Sequence, residues 1–139
     1  MKVLVDTNVI LDLVLDRRPF SKSAGDIWNL SAEGALDACV AVSTVRDAHY
    51  VVSKETSGAT AREFVKNLIT SFKVIGVEAV CAQEAICSTI PDFEDALLHA
   101  AAIRSGCDTI VTRNKRDFKN ASMTVLSPEE FLKRVIAAG

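Results

Sequence analysis

The sequence predicts an α/β fold in which a parallel β-sheet is sandwiched by helices on both faces, and three observations carry that prediction. Short apolar, β-branched runs alternate with segments of helical spacing along the whole 139-residue chain. Polar residues cut these runs off, as they do where strands leave a buried sheet. One helical segment, opened by Pro91-Asp92, carries a face of unusually small residues, which a helix pressed closely on a sheet requires.

Val3–Val5 is a buried-strand run that ends at Asp6, Thr7 and Asn8, and helical spacing follows at Ile10, Leu13 and Val14 until Arg17-Arg18-Pro19 breaks it. Phe20, Ala24, Ile27, Trp28 and Ser31 recur as one helix face, with Gly34 as its stop. Ala38–Val42 is the next strand; Ser43 and Thr44 interrupt it before Val45, Ala48, Val51 and Val52 restart helical spacing. After the break at Ser57-Gly58, Ala61, Phe64, Val65, Leu68, Ile69 and Phe72 mark the cleanest helix in the chain. A short strand is expected over Lys73–Val77 and a helix of weaker periodicity over Ala79–Cys87. The small-faced helix follows, with Ala96, Ala100, Ala101 and Ile103 as its face and Gly106 as its end. Thr109–Thr112 is a β-branched strand, Arg113–Lys119 a polar segment, and Thr124–Leu126 the last strand. Ser127-Pro128-Glu129-Glu130 then supplies an N-cap, a proline at the first helical position and a capping-box glutamate, so a helix closes the chain through Ile136.

At about 100 to 200 residues per domain, residues 1–139 are expected to form one domain. The composition is globular, with 49% apolar and 24% charged residues, and excludes intrinsic disorder. Sixteen Lys and Arg against eighteen Asp and Glu leave a net charge of −2, so no global basic field is available for non-specific DNA coating, although a local patch suffices for nucleic acid. Cys39, Cys81, Cys87 and Cys107 have no paired metal spacing and lie in apolar surroundings, which reads as reduced core thiols. No apolar run approaches the ~18 residues of a membrane span. Met-Lys-Val-Leu-Val runs straight into Asp6 without a leader-peptide cleavage pattern, so a cytoplasmic protein complete from its first residue is expected.

Ligands of a parallel sheet bind beyond the carboxyl ends of its strands. Asp6 ends the first strand, Asp47 lies in the first turn after the second, Asp117 follows the Thr109–Thr112 strand, and Asp95 opens the small-faced helix. Parallel topology brings such acids to one rim. Two unit charges ~4 Å apart repel by about 4 kcal/mol at an effective dielectric near 20, so a carboxylate cluster stays ionised only with counter-charge. Oxygen ligands without His or Cys suit Mg²⁺ or Mn²⁺, and such ions activate water against a phosphodiester. Metal-assisted hydrolysis of nucleic acid is the implied reaction.

Plainer roles compete for some of these acids. Asp92 followed by Asp95, and Thr44 followed by Asp47, both fit an N-cap and an acidic first turn. Asp6 is hardest to explain that way, because an acid directly after a buried strand gains nothing from burial unless it is paired or bound. Asp12, Asp16 and Glu94 read as solvated helix residues. Arg113, Lys115 and Arg116 surround Asp117 and are the candidate phosphate contacts, a patch that Arg17-Arg18 would extend. His49 and His99 have no partner spacing and read as structural.

Three segments together resemble the PIN domain, and in particular the PIN-domain ribonucleases that act as toxins in bacterial and archaeal toxin-antitoxin pairs. They are Val3-Leu4-Val5-Asp6-Thr7-Asn8, Asp92-Phe93-Glu94-Asp95-Ala96-Leu97 and Thr112-Arg113-Asn114-Lys115-Arg116-Asp117-Phe118, and their order and spacing span nearly the whole chain. The resemblance implies that Asp6, Asp95 and Asp117 line a Mg²⁺ or Mn²⁺ site. It also implies that Thr112 and Asn114 hold the site's geometry by hydrogen bonds, with Asn8 of the opening motif as a further supporting residue. The family's second acid is often Glu; its match here is Asp47, one methylene shorter, for which a water-bridged role is open. The family fold is a parallel sheet between helices.

The leading expectation is therefore a divalent-metal-dependent endoribonuclease using Asp6, Asp47, Asp95 and Asp117, with RNA as substrate and, by resemblance, an antitoxin as partner. A PIN-like module that binds RNA or protein without cutting is the first alternative. The second is a phosphatase or phosphotransferase with Asp6 as nucleophile, although that chemistry wants an acid where Asn8 stands. The apolar face of Phe64, Leu68 and Phe72 would serve a homodimer as readily as a core.

Overall fold

Val3, Leu4 and Val5 are fully buried, so both faces of their strand are covered, and the continuous apolar run that opens the chain is explained by that position. The structure is a computed structural model and describes residues 1–138. Its elements in chain order are β1 (Lys2–Val5), α1 (Thr7–Val14), α2 (Phe20–Ala32), β2 (Asp37–Ala41), α3 (Val42–Glu55), α4 (Gly58–Ser71) and β3 (Lys73–Ile75). There follow α5 (Ala79–Ile86), α6 (Phe93–Arg104), β4 (Thr109–Val111), a 3₁₀ turn (Lys115–Phe118), β5 (Thr124–Leu126) and α7 (Pro128–Ala138).

The strands form one sheet in the order β3-β2-β1-β4-β5, and every pairing is parallel. Alternation along β1 sorts the core into two layers. Val3 and Val5 pack with Val9, Ile27, Leu68, Phe72 and Phe131, from α1, α2, α4 and α7 and the end of α4, on one face. Leu4 packs with Cys81, Leu98, Ala101 and Ile110 on the other, under α5 and α6. The sheet is thus sandwiched as predicted. Trp28 of α2 meets Phe64 and Phe72 at centroid distances of 5.5 and 5.4 Å, so the Phe64–Leu68–Phe72 face belongs to the core.

Local signals set the boundaries. Gly34 and Gly106 both take φ +79°, the left-handed conformation that ends α2 and α6, and the next residues close the turn through Ala35 N–H to Leu30 O and Cys107 N–H to Ala102 O, each at 2.9 Å. Ser127 and Glu130 exchange the reciprocal bonds of a capping box at 3.1 and 2.9 Å. Three expectations are corrected. Val42 begins α3, half exposed, because β2 ends at Ala41. The buried face of α6 uses Ala102, and Ile103 points outward. Cys87 is exposed, having been carried past the buried Cys81 and Ala85 face of its helix.

Candidate active site

Reading outward from the centre of the sheet, the chain runs from β1 to β2 and β3 on one side and from β4 to β5 on the other, so the strand order reverses between β1 and β4. A crevice beyond the carboxyl ends of strands at such a reversal is where open α/β sheets hold ligands. Asp6 leaves β1 at that point, and its N–H continues the pairing by donating to Val111 O at 2.9 Å. Its side chain caps α1, accepting from Thr7 N–H at 2.7 Å, and accepts from the Thr112 hydroxyl at 2.8 Å. Asn8 Nδ2 donates to Thr112 Oγ1 at 3.1 Å and to Asp6 at 3.3 Å, while Asn8 Oδ1 accepts from Arg113 N–H at 3.3 Å. Asn114 contributes its backbone, donating to Thr112 Oγ1 at 3.0 Å. Thr112 is completely buried, and Asp6 is 6% exposed.

Burial of Asp6 pushes its carboxyl above the ordinary range; the Thr112 and Thr7 bonds oppose that shift, and the negative charges of Asp117 and Asp92 add to it. Asp95 is pushed up to about 7, first by burial and then by Asp6, Asp92, Asp117 and Glu94. Asp6, Asp95 and Asp117 therefore lie within one another's electrostatic reach, although β1, α6 and the 3₁₀ turn supply them separately. Asp92 is the residue sequence reasoning undervalued. It caps α6 as expected, accepting from Asp95 N–H at 3.0 Å, and its charge also bears on both Asp6 and Asp95. The signal was its three-residue spacing from Asp95, which serves a cap and a shared rim alike.

Asp47 is set apart from this group. It pairs with Arg46 at 3.3 Å, its side chain is 45% exposed, and it is not among the leading influences on the Asp6 or Asp95 carboxyls. Its helix is nevertheless tied to the crevice one turn earlier, where Thr44 and Thr7 share a hydroxyl hydrogen bond at 2.6 Å. Asp12, expected to be solvated, is 1% exposed and held by Arg113 through Nε at 2.5 Å and Nη2 at 2.9 Å, with Arg17 at 3.4 Å. Arg113 also lies over the Phe20 ring, 4.1 Å from its centroid. The Arg113 side chain thus ties the loop after β4 to α1 and α2. Lys115 pairs with Glu130 at 2.8 Å, and Arg116 is exposed without an ion pair among the described residues. His99 accepts from Ser122 N–H at 3.1 Å, in keeping with a structural role.

Among the described residues no three His, Cys, Asp or Glu side chains form a ready cage for an ion. The donor chemistry nonetheless fits a hard dication. Mg²⁺ keeps several of its waters and takes only one or two carboxylates directly, and the acids here are oxygen-only and under-compensated. That imbalance has a pH signature. Both carboxyls are raised relative to an unfolded reference near 3.8, so their contribution to stability is complete below that value and is lost as pH rises through their raised folded values, about 7 for Asp95. Metal-free protein will melt higher at pH 5 than at pH 8 through this term, by roughly 3–6 °C after allowance for solvent screening. A dication held by these carboxylates would raise the melting temperature more at pH 8 than at pH 5. Calorimetry of the parent beside Asp95→Asn isolates the term, and an equal pH slope in the two would contradict it.

Comparisons with known proteins agree with this architecture. A family model described as PIN domain matches residues 2–116. The chain is 27% identical over 138 residues to Ribonuclease VapC1 of Aquifex aeolicus (strain VF5), covering 96% of this chain and 94% of that protein. Its fold is similar to the crystal structure of PAE2754 from Pyrobaculum aerophilum, with a TM-score of 0.68 at 20% identity over 99% of this chain and 96% of that one. It is equally similar to a chain of a toxin-antitoxin complex from Klebsiella pneumoniae, with a TM-score of 0.68 at 20% identity over 91% and 98% of the two chains.

Proposed function

The chain belongs to the PIN domain family, and from that premise we propose that it is a divalent-metal-dependent endoribonuclease, acting as a toxin that an antitoxin restrains. The observation that carries the reading is the under-compensated carboxylate group at the β1/β4 crevice, with Asp6 buried and Asp95 raised to about 7. Similarity to Ribonuclease VapC1 supports the activity, and the neighbour solved as a toxin-antitoxin complex supports the partner. We read residues 1–139 as one domain and the cytoplasm as its place of action; among the described residues no helix is long and apolar enough to cross a membrane.

In this reading Asp6, Asp95 and Asp117 hold Mg²⁺ or Mn²⁺, with Asp92 adding negative charge and Asp47 acting at most through water. The bound ion supplies Lewis acidity and a lowered pKa for water at the scissile phosphodiester. The protein's own part is positioning. Thr112 and Asn8 fix the Asp6 carboxylate, the Thr7–Thr44 bond holds α3 against α1, and the Arg113–Asp12 pair sets the loop that carries Asp117. Arg116 is the phosphate contact that needs no rearrangement; Lys115 would first leave Glu130, and Arg113 has most of its donors committed.

Single-stranded RNA will be cut in Mg²⁺ or Mn²⁺, left intact in excess chelator, and cut again when the ion is restored. Cleavage that survives chelation would sink the metal's role. The detachment of Asp47 from the other acids favours one second reading, a module that binds RNA or protein without cutting. It predicts RNA retention that is equal in chelator and in metal, with no product in either. An Asp6 phospho-nucleophile is disfavoured, since Asn8 is engaged with Asp6 and Thr112 where that chemistry needs a second acid.

A further inference from the structure

In the core layer under α6, the side chains of Cys39, in the middle of β2, and Cys107, two residues before β4, meet with their sulfurs 3.3 Å apart. Both are free thiols. The strand between them is β1, whose Val3 carbonyl accepts from the Cys39 thiol at 3.3 Å. Cys39 is fully buried, whereas Cys107 is 7% exposed and lines a surface cleft of about 690 Å³ with Ile103, Asp108, Ser122 and Met123.

We propose that Cys39 and Cys107 are a redox-responsive pair that a hydroperoxide converts to an internal disulfide. The cleft admits a small peroxide to Cys107 while the sheet and α6 shield Cys39. The two thiols are also unequal. The contact with Cys107 and burial hold the Cys39 thiol far above its ordinary pKa, and of the two sulfur-bearing residues only Cys107 lines the cleft that a peroxide can enter. Cys107 is therefore the attacking sulfur. Its thiolate displaces hydroxide from hydrogen peroxide to give a sulfenic acid, and the hydroxide takes up the released proton as water. The Cys39 sulfur then attacks that sulfenic sulfur, a second hydroxide leaves, and the Cys39 proton converts it to water, so two thiols and one peroxide give one disulfide and two waters. Bonding at about 2.05 Å brings the sulfurs closer by about 1.2 Å than their present separation. The link would join the middle of β2 to the approach to β4, locking the two neighbours of β1 to each other.

The test uses the full chain as a Cys87→Ser variant, which removes the exposed thiol from competition. Folded protein is treated with stoichiometric hydrogen peroxide, quenched, denatured and alkylated with N-ethylmaleimide. The expected result is a monomer with one alkylated cysteine, Cys81, and a dithiothreitol-reversible peptide link between Cys39 and Cys107. With Cys39→Ser in addition, Cys107 is expected to accumulate as a sulfenic acid trapped by dimedone, while Cys107→Ser leaves Cys39 alkylatable. Three alkylated cysteines after peroxide, or linkage only between chains, would overturn the pair. A linked form melting no higher than the reduced protein would overturn the locking role.

Discussion

Asp95→Asn is expected to leave a folded protein whose RNA cleavage falls by about 10²- to 10³-fold, the loss typical when one electrostatic partner of a reacting centre is removed. The substitution keeps the side chain's size. It also leaves the start of α6 intact, because Asp92 supplies the cap and Asp95 enters that bond only through its backbone N–H. An acid in a first helical turn contributes a few tenths to about 1 kcal/mol through the helix dipole. Burial and four neighbouring carboxylates act against that small gain, strongly enough to raise the group to about 7. Without metal the variant should therefore melt no lower than the parent at pH 8, while with metal its RNA cleavage falls by that same factor. That pairing separates a site acid from a structural one, since loss of a structural carboxylate lowers both quantities. Parent-like cleavage by the variant would remove Asp95 from the mechanism.

Arg113→Ala should cost about 3–5 kcal/mol, the range for leaving one member of a buried ion pair without its partner. Asp12 is 1% exposed, and after the substitution only Arg17 remains, at 3.4 Å with its own side chain 41% exposed. The loss of contact with the Phe20 ring adds a smaller term in the same direction. Such a cost is a large share of the 5–15 kcal/mol that holds an ordinary domain together. Urea unfolding would read it directly. The double replacement Asp12→Leu with Arg113→Met should recover most of the loss, because an apolar pair of similar volume often matches a buried ion pair. Failure of that rescue would show that the ion pair does more than fill its volume, whereas a rescued protein that is stable but cleaves RNA poorly would point to the phosphate-binding role of Arg113 expected from its place in the basic segment.

Asp12 and Arg113 also mark the limit of what the sequence discloses. Strands and helices were legible because their causes are local: the apolar run at Val3–Val5, the recurring face from Ala61 to Phe72, the glycines after α2 and α6, and the capping box at Ser127. The position of Asp6 was legible for the same reason, since an acid immediately after a buried strand is conspicuous. An ion pair between α1 and the loop after β4 joins residues 101 positions apart, and no local pattern announces it. In the sequence Asp12 is one more acid on an amphipathic helix, and Arg113 one more cation in a basic segment. The contrast between Asp47 and Asp92 has a similar origin. Both were expected near helix starts, but α3 begins at Val42 with Ala41 as its cap, so Asp47 is its sixth residue and turns to Arg46, while Asp92 caps α6 and its charge reaches Asp6 and Asp95.

The placement of β1 between β2 and β4 bears on the order in which a ribosome would release this chain. The amino-terminal strand can pair with β2 early, but its other neighbour spans Thr109–Val111, and Thr112, which orients Asp6, comes later still. Such long-range pairing is a late event in folding. A nascent polypeptide therefore carries its first acid for most of translation without the groups that complete the crevice, and the site assembles only once nearly all of the chain has emerged.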